Sequence, residues 1–270
     1  MSPAPAVFRP LLTRWDLTPD GPPIHTHSSD LLPVRFRGEP AMLKIARIDE
    51  EELGHRWLVW RGGVGAARTY AHDGAALLLE RLPSRPSLTA LVHAGHDDEA
   101  TRQLCGVAAR IHAPSPHPAP ELPPLAGWFR ALTDAADRNG TLRAAWATAQ
   151  GLLRDQREVL PLHGDLHHAN ALHSPERGWL AIDPKGLIGE RTFDFANLLC
   201  NPDLEVATRP GRLARQVALI ADLGGLERAR LLRWVVAYAG LSAAWWLEDE
   251  EEGQAAQVLE VARLALAELG

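Results

Sequence analysis

The sequence predicts an α+β chain of two lobes, a small first lobe built on one sheet and a larger, mainly helical second lobe. Before residue 83, short apolar runs alternate with turns rich in glycine, proline and aspartate, the pattern of strands. After residue 86, apolar residues recur at helical spacing, except over 160–189, where glycine, proline and short apolar pairs interrupt the pattern. The segment Pro83-Ser-Arg-Pro86 breaks both patterns, so we place the lobes at 1–83 and 84–270.

The first lobe begins with a predicted β-hairpin. Apolar runs over 30–37 and 41–46 lie on either side of a Gly38-Glu-Pro40 turn. Pro33 has no N–H group to give to a neighbouring strand, so we expect the first run to form an edge strand or an irregular strand. A sheet is therefore expected to start here.

A helix and two more strands complete the first lobe. Over 49–60, Leu53, Trp57 and Trp60 recur at helical spacing, and three glutamates fill the first turn, where the helix dipole favours negative charge. The glycine pair at 62–63 ends this helix. Strands are then expected over 67–71 and 75–82. In the second lobe, apolar periodicity predicts helices over 97–112, 126–138, 141–159, 211–223, 226–247 and 253–269.

Composition excludes several classes of protein. The chain has 270 residues and a net charge of −6, which argues against a nucleic-acid partner because like charges repel. Its two cysteines, Cys105 and Cys200, are too few for a disulfide framework and favour a reducing compartment. The longest apolar stretch, 234–247, is too short to cross a bilayer, and no apolar core of a secretion signal follows Met1. We therefore expect a cytoplasmic protein without a membrane partner; the sequence carries no signal for an oligomeric state.

The interrupted centre of the second lobe holds the residues suited to chemistry. It reads His163-Gly-Asp165, then Asn170, an apolar run, and Asp183. Phosphoryl transfer from ATP needs one carboxylate to orient and deprotonate the attacking hydroxyl, and an amide oxygen and a second carboxylate to hold magnesium. The strand-like residues between Asn170 and Asp183 would bring these two side chains together at one end of a small hairpin. The alternative is a polar loop with a structural aspartate.

These residues resemble the catalytic core of the aminoglycoside phosphotransferases, which share the protein-kinase-like fold. The segments 178–191, 193–197 and 200–202 resemble the streptomycin 6-kinase and hydroxyurea phosphotransferase branch of that family. Upstream, 14–21, 40–45 and 71–81 are similar too, so the resemblance covers most of the chain in the expected order. It implies a nucleotide-binding first lobe and a catalytic, substrate-binding second lobe, with ATP and Mg²⁺ as cofactors.

The resemblance also implies roles for single residues. Asp165 is expected to orient the hydroxyl or act as its base, while Asn170 and Asp183 bind magnesium. Lys44 would hold the α- and β-phosphates and pair with Glu51, which we favour over its neighbours at 50 and 52. No G-x-G-x-x-G loop is present. The remaining expected nucleotide contacts are Ser28 and Ser29 at the phosphates and the backbone from Glu80 to Leu82 at the adenine.

The expected acceptor is a cationic sugar of the streptomycin type. Its guanidinium groups call for carboxylates and aromatic faces, so the acidic run 248–252 is a candidate, against the simpler interpretation of a solvated helix end. Trp128, Trp234 and Trp245 are expected in the core rather than at a pocket. Asp194 is expected to brace the catalytic loop.

Three alternatives stay open at this point. The chain is a kinase of another small metabolite or of hydroxyurea, a nucleotide-binding pseudoenzyme, or a zinc hydrolase built on the histidines at 163 and 167. The first keeps every catalytic residue and changes only the acceptor pocket. The presence of Lys44, Asp165 and Asp183 disfavours the second, and Gly164 disfavours the helix that the third needs.

Overall fold

The structure is a computed structural model that describes residues 5–270. The first lobe holds a helix, α1 (Arg9–Arg14), and an antiparallel sheet. The strands of this sheet are β1 (Leu17–Pro19), β2 (Ile24–His25), β3 (Ser29–Phe36), β4 (Glu39–Ala46), β5 (Thr69–Asp73) and β6 (Ala76–Glu80). Their order is β1-β3-β4-β6-β5, and β2 pairs with β3 as well. The predicted hairpin is the β3–β4 pair, which aligns Leu31 with Lys44 and so fixes which face Lys44 takes.

Of the two possibilities that Pro33 suggests, an edge strand or an irregular strand, the edge strand is wrong. β3 lies inside the sheet, with β4 on one side and both β1 and β2 on the other. Pro33 falls between the residues that pair with β1 and those that pair with β2, and its carbonyl accepts from Asp20 N at 2.8 Å. Because the N and O of one residue point to the same side of a strand, the missing N–H faces this gap and no ladder bond is lost.

Helix α2 (Asp49–Arg61) joins β4 to β5 and carries the glutamates of the predicted first turn. Asp49 to Glu52 place four carboxylates at its positive end, where the dipole stabilises them. The helix ends at Gly62, whose φ of 56° is the left-handed conformation that a side chain disfavours. Trp57 and Leu58 are buried and join α2 to the main core.

The second lobe is mainly helical and packs around one long helix, α10. Its helices are α3 (Leu88–His93), α4 (Asp97–Ile111), α5 (Arg130–Ala135), α6 (Gly140–Arg154), α7 (Thr192–Ala196), α8 (Leu204–Ala207), α9 (Arg212–Gly224), α10 (Arg228–Glu248) and α11 (Glu252–Ala267). α10 contacts α5, α6, α7, α9 and α11, and Trp234 at its centre is fully buried, as expected. Within residues 5–270, none of the helices has the length and apolar character needed to cross a membrane.

Two of the predicted helices differ from the structure. The helix expected over 126–138 is α5 flanked by 3₁₀ turns at Leu125–Phe129 and Ala136–Arg138. The helix expected to reach 159 ends at Arg154, because Val159 already belongs to a strand and the Arg157 N–H donates to Glu190 of that strand's partner at 3.0 Å. The last residues of the predicted helix thus belong to a strand-forming segment instead.

The interrupted centre folds into two small antiparallel pairs. β7 (Val159–Leu162) pairs with β10 (Leu187–Glu190), and β8 (Ala171–Ser174) pairs with β9 (Gly178–Ala181). The second pair is the hairpin expected between Asn170 and Asp183, and the first was not predicted. The lobe boundary at residue 83, in the connection between β6 and α3, stays a prediction.

Candidate active site

The loop that carries Asp165 is fixed from behind by Asp194. This loop joins β7 to β8, and the Asp194 carboxylate accepts from the His163 N–H at 3.0 Å and from the Gly164 N–H at 2.8 Å. His112 lies 2.8 Å from the same carboxylate. The Asp194 side chain is fully buried. Asp194 therefore braces the loop, the role expected for it.

The His163 ring is a second brace of the loop and not a metal ligand. It is fully buried, its Nδ1 accepts from the Asp165 N–H at 3.2 Å, and its Nε2 then donates to the Ile182 carbonyl at 2.9 Å. Burial lowers the pKa of His163 and keeps the ring neutral. Both ring nitrogens are engaged, which leaves neither for the zinc ion that the hydrolase hypothesis requires.

Two side-chain amides hold the Asp165 carboxylate. Asn170 Nδ2 donates to Oδ2 at 3.1 Å and Asn197 Nδ2 donates to Oδ1 at 2.9 Å. The side-chain oxygen Oδ1 of Asn197 in turn accepts from Asn201 Nδ2 at 2.8 Å, which sets the orientation of the Asn197 amide. Burial opposes ionisation, but the nearby His167 lowers the pKa of Asp165 below its usual value. Asp165 is therefore an ionised, oriented carboxylate that is 29% exposed.

The β8–β9 hairpin brings Asn170 and Asp183 to one end. The Ile182 N–H donates to the Asn170 carbonyl at 2.9 Å, directly before Asp183, which has a left-handed φ of 57°. The Asn170 amide nitrogen is engaged with Asp165, so its oxygen is the atom that it has to offer a cation. A carboxylate and an amide oxygen fit Mg²⁺, which takes few protein ligands and completes its shell with phosphates and water.

Lys44 on β4 pairs with two carboxylates at once. Its Nζ contacts Glu51 on α2 and Asp183 at the end of the hairpin, and the Lys44 side chain is only 9% exposed. Burial by itself raises the pKa of the Glu51 carboxyl, but Lys44 and then Lys185 lower it to about 2. Of the three glutamates considered for this pair, the structure places Glu51 at Lys44.

A close backbone approach holds α2 against the segment after Asp183. A Cβ at Gly54 would lie 1.9 Å from the Pro184 carbonyl oxygen, so only glycine fits. Gly186 has the same relation to α2, since a Cβ there would lie 2.7 Å from the Leu53 carbonyl oxygen. Lys185, between the two, lies 3.4 Å from Glu51. The close approach of α2 thereby joins the Lys44–Glu51 ion pair to the Asp183 end of the β8–β9 hairpin.

A cavity of about 270 Å³ lies between the sheet and the hairpin. Lys44, Asn170 and Asp183 line its polar end, and Met42, Leu79 and Leu172 are among its apolar walls. Ser28 and Thr26 line it as well. Ser29 also borders it, but its hydroxyl donates to Glu51 at 3.0 Å, so this hydroxyl supports the ion pair.

The backbone expected at the adenine lines the apolar end of this cavity. Glu80, Arg81 and Leu82 all border it. The Glu80 and Arg81 N–H groups donate to the carbonyls of Arg68 and Pro40 at 2.9 and 3.3 Å. Within the described part of the chain, the Leu82 N–H is therefore the backbone donor of residues 80–82 that is left for the adenine. The Glu80 carboxylate accepts from Arg177 at 2.9 Å instead of facing a ligand.

Two further cavities meet at Asp165, on the side away from the sheet. One of about 660 Å³ is bordered by α8, α10 and α11, and one of about 340 Å³ by α2 and α10. Both include Asp165 and Tyr238. Burial and the Asp165 charge raise the pKa of Tyr238, so its hydroxyl stays protonated as a donor. These cavities are the space for an acceptor.

The residues that line these two cavities differ from those that the sequence predicted. Residues 248–252 are all exposed at the turn between α10 and α11, and they line neither cavity. Trp128 and Trp245 were expected in the core, but they are half-buried at its edge and line the smaller cavity. They lie at the edge because the ends of the elements that carry them reach past the core.

Three residues of the acceptor side, and the amide partner of Asp165, were not predicted from the sequence. Asn197 was part of a recognised segment, yet nothing in the spacing indicates a contact with Asp165. Tyr238, Asp203 and Glu205 were not singled out at all. The proline after Asn201 and the short helix after Asp203 are the local signals that a pocket wall was present.

Comparison with known proteins agrees with this geometry. The chain is 50% identical over 243 residues to a streptomycin 3''-kinase of Klebsiella pneumoniae, with 88% of this chain and 91% of the relative covered. It is 35% identical to a streptomycin 6-kinase of Streptomyces glaucescens, with 91% and 83% covered. A hydroxyurea phosphotransferase of Kitasatospora aureofaciens is 32% identical, with 96% and 78% covered.

Solved structures show the same fold at low sequence identity. The aminoglycoside phosphotransferase APH(4)-Ia, in complex with ADP and hygromycin B, superposes with a TM-score of 0.67 at 13% identity, with 97% of this chain and 98% of that chain covered. The two-lobed protein-kinase-like fold is therefore confirmed. The sequence model of the aminoglycoside/hydroxyurea antibiotic resistance kinase family matches residues 14–250. The chain belongs to this family.

Proposed function

We propose that this protein transfers the γ-phosphoryl group of ATP to a hydroxyl of streptomycin, in the cytoplasm, where ATP is available. The observation that carries the proposal is the position of Asp165. Its carboxylate, held by two amides, lies between a nucleotide-sized cavity and two acceptor cavities with acidic and aromatic linings. Only a group at that junction reaches both a phosphoryl donor and a hydroxyl acceptor.

The residues divide the reaction between them. Asp165 accepts a hydrogen bond from the acceptor hydroxyl and takes its proton, while the hydroxyl oxygen bonds to the γ-phosphorus and the bond to the bridging oxygen of ADP breaks. Lys44, held by Glu51, binds the α- and β-phosphates through its ammonium group. Preorganisation by Asn170, Asn197 and Asp194 removes the cost of orienting the carboxylate during the reaction.

Mg²⁺ belongs to the proposal, with Asp183 and the Asn170 amide oxygen as its protein ligands. When bound, the ion neutralises charge that develops on the phosphates. Asp183 and Asn170 border the same end of the nucleotide cavity, where the phosphates would lie. Lys44 pairs with Asp183 as well as with Glu51, so neither of these two carboxylates is left unpaired.

The acceptor hydroxyl is proposed to be the 3''-hydroxyl. The relative that shares 50% identity is a 3''-kinase, whereas the 6-kinases share 35% and 33%. Hydroxyurea is the second candidate acceptor, because a hydroxyurea phosphotransferase shares 32% identity. A cleft of two cavities is much larger than hydroxyurea requires, which favours the antibiotic.

The experiment is an acceptor screen with the purified protein and Mg-ATP. ADP release is measured with streptomycin, hydroxyurea and an uncharged polyol, and the product is located by ³¹P and ¹H NMR. We expect ADP release with streptomycin and a phosphate on the N-methylglucosamine ring. A phosphate on the streptidine ring would move the proposal to the 6-hydroxyl. Turnover of hydroxyurea but not of streptomycin would refute the aminoglycoside acceptor.

A further inference from the structure

The acceptor cleft has two chemically different halves that meet at the reacting position. Asp165 and Tyr238 border both cavities, so a bound hydroxyl at Asp165 can have neighbours in each. Besides these two residues, the larger cavity, about 660 Å³, has two carboxylates and one indole in its lining, and the smaller, about 340 Å³, has two indoles and one carboxylate. An acceptor that fills both therefore meets two kinds of cation site.

The acidic half is built on α8. Asp203 Oδ1 accepts from the Val206 N–H at 2.8 Å and its Oδ2 lies 3.0 Å from His93 Nε2, which fixes the carboxylate at the cavity wall. Glu205 follows in the first turn of the same helix and is exposed. These two carboxylates and Asp165 outnumber the single guanidinium of the lining, Arg209. The lining thus attracts cations.

The aromatic half is built on Trp128 and Trp245. Their rings meet edge to face, with centroids 5.4 Å apart and an interplanar angle of 80°. Glu50 adds a carboxylate, and the one cation of this lining, Lys185, lies 3.8 Å from Glu50 and 3.4 Å from Glu51, so two carboxylates share its charge. Indole faces beside a carboxylate are the chemistry that binds an alkylammonium group, whose methyl carries spread positive charge.

We propose that the cleft sorts the cations of its acceptor: Asp203 and Glu205 bind the guanidinium groups of streptidine, and Trp128 and Trp245 hold the methylammonium group beside the reacting hydroxyl. This inference rests on the proposed function. In streptomycin the methylamino group and the 3''-hydroxyl are on adjacent carbons, whereas the guanidinium groups lie two rings away. The small cavity at Asp165 matches the near cation, and the large one matches the distant ring.

The test compares variants of each half by steady-state kinetics. Asp203→Asn keeps an acceptor for the N-cap of α8 and removes the charge, and Glu205→Gln does the same for its neighbour. We expect each to raise KM for streptomycin by about 10- to 100-fold, since each removes a charge-assisted hydrogen bond, with kcat little changed. Trp245→Leu is expected to raise KM by about 3- to 30-fold, while Trp245→Phe recovers most of the loss.

Matched controls separate local from general charge effects. The triple variant Glu250→Gln, Glu251→Gln, Glu252→Gln removes more charge from an exposed turn, and we expect its KM to match the wild-type value. A streptomycin analogue in which a neutral carbamate replaces one guanidinium should lose affinity for the wild-type enzyme, and it should lose less for Asp203→Asn or Glu205→Gln. Equal losses on all three enzymes would refute the guanidinium contact.

The outcomes distinguish this inference from the proposed function. Streptomycin phosphorylation with unchanged KM in the double variant Asp203→Asn, Glu205→Gln and in Trp245→Leu would overturn the sorting and leave the kinase activity established. Absence of streptomycin phosphorylation by the wild-type protein would overturn both. Quenching of tryptophan fluorescence by streptomycin without nucleotide provides a binding readout, and we expect Trp245→Phe to reduce it.

Discussion

Asn197 donates a hydrogen bond from its side-chain amide to Oδ1 of Asp165 at 2.9 Å, across 32 positions of sequence. The contact joins the end of α7 to the catalytic loop, which Asp194 of the same helix holds through backbone N–H groups. One short helix thus sets both the backbone and the side chain of the proposed base. Substituting Asn197 therefore tests the support of the Asp165 side chain, and substituting Asp194 tests the support of the loop backbone.

Asn197→Ala is expected to lower kcat by about 10- to 100-fold, the value of one hydrogen bond to a charged group. KM for ATP should stay at the wild-type value, because Asn197 does not line the nucleotide cavity. Loss of the donor removes stabilisation of the ionised carboxylate, so the pKa of Asp165 rises. The acidic limb of the kcat/KM profile should then move to higher pH. A profile that does not move would show that Asn197 is only structural.

Asp165→Asn keeps the size of the side chain and cannot take a proton. We expect kcat to fall by about 10²- to 10⁴-fold, the usual contribution of a general base. Nucleotide affinity, measured calorimetrically with a non-hydrolysable ATP analogue, should stay close to that of the wild type. Turnover within a few-fold of the wild-type rate would exclude Asp165 as the base.

Asp183→Ala removes the carboxylate proposed for magnesium. We expect turnover to be lost and the nucleotide to bind more weakly in the presence of magnesium, but not in EDTA. Calorimetric titration under the two conditions measures this, with Asp155→Ala, an exposed carboxylate of the second lobe, as the control. The assignment is wrong if magnesium leaves the affinity of the wild-type protein for nucleotide unchanged.

Two buried histidines should make the fold acid-sensitive. Burial lowers the pKa of His55 and of His168 to about 3, so both rings are neutral in the folded protein, whereas the unfolded chain takes up a proton at each ring below pH of about 6.5. Stability is therefore lost as the pH falls from 6.5 towards 3. The two rings together should lower the free energy of unfolding by about 3 kcal/mol between pH 6.5 and 5, because each is already half protonated in the unfolded chain at pH 6.5.

Urea unfolding at these two pH values measures the effect. His168→Gln should remove about half of this loss, because one ring fewer takes up a proton on unfolding. The exposed His27→Gln is the control and should leave the dependence as it is. Equal pH dependence in His168→Gln and the wild type would mean that this ring does not stay neutral in the folded state.

The nucleotide side of the site follows from short-range sequence patterns. Asn170 and Asp183 flank one hairpin, so their spacing along the chain fixes their spacing in space. Lys44 lies on an apolar strand and Glu51 begins the next helix, and their pairing was implied by the family resemblance. The same reasoning failed at Pro33, where the gap between two short partner strands depends on a segment that has no periodic pattern.

The acceptor side depends on how distant helices pack. Tyr238 reaches Asp165 because α10 crosses behind the catalytic loop, and Trp245 borders the cleft because α10 continues beyond the core. A helical pattern shows which residues share a face, but not which neighbour that face meets. The acidic run at 248–252 is exposed, as the interpretation of a solvated helix end has it, and the carboxylates that line the larger cavity are instead Asp203 and Glu205.

The absence of a side chain at Gly54 determines how closely α2 approaches the segment that follows Asp183. Because the Pro184 carbonyl occupies the place of a Cβ, α2 packs directly against the segment that follows Asp183, and Glu51 on this helix pairs with Lys44. Protein kinases are governed through movement of the corresponding helix. In this structure the Lys44–Glu51 pair is formed, and the close approach at Gly54 holds α2 against the segment that follows Asp183.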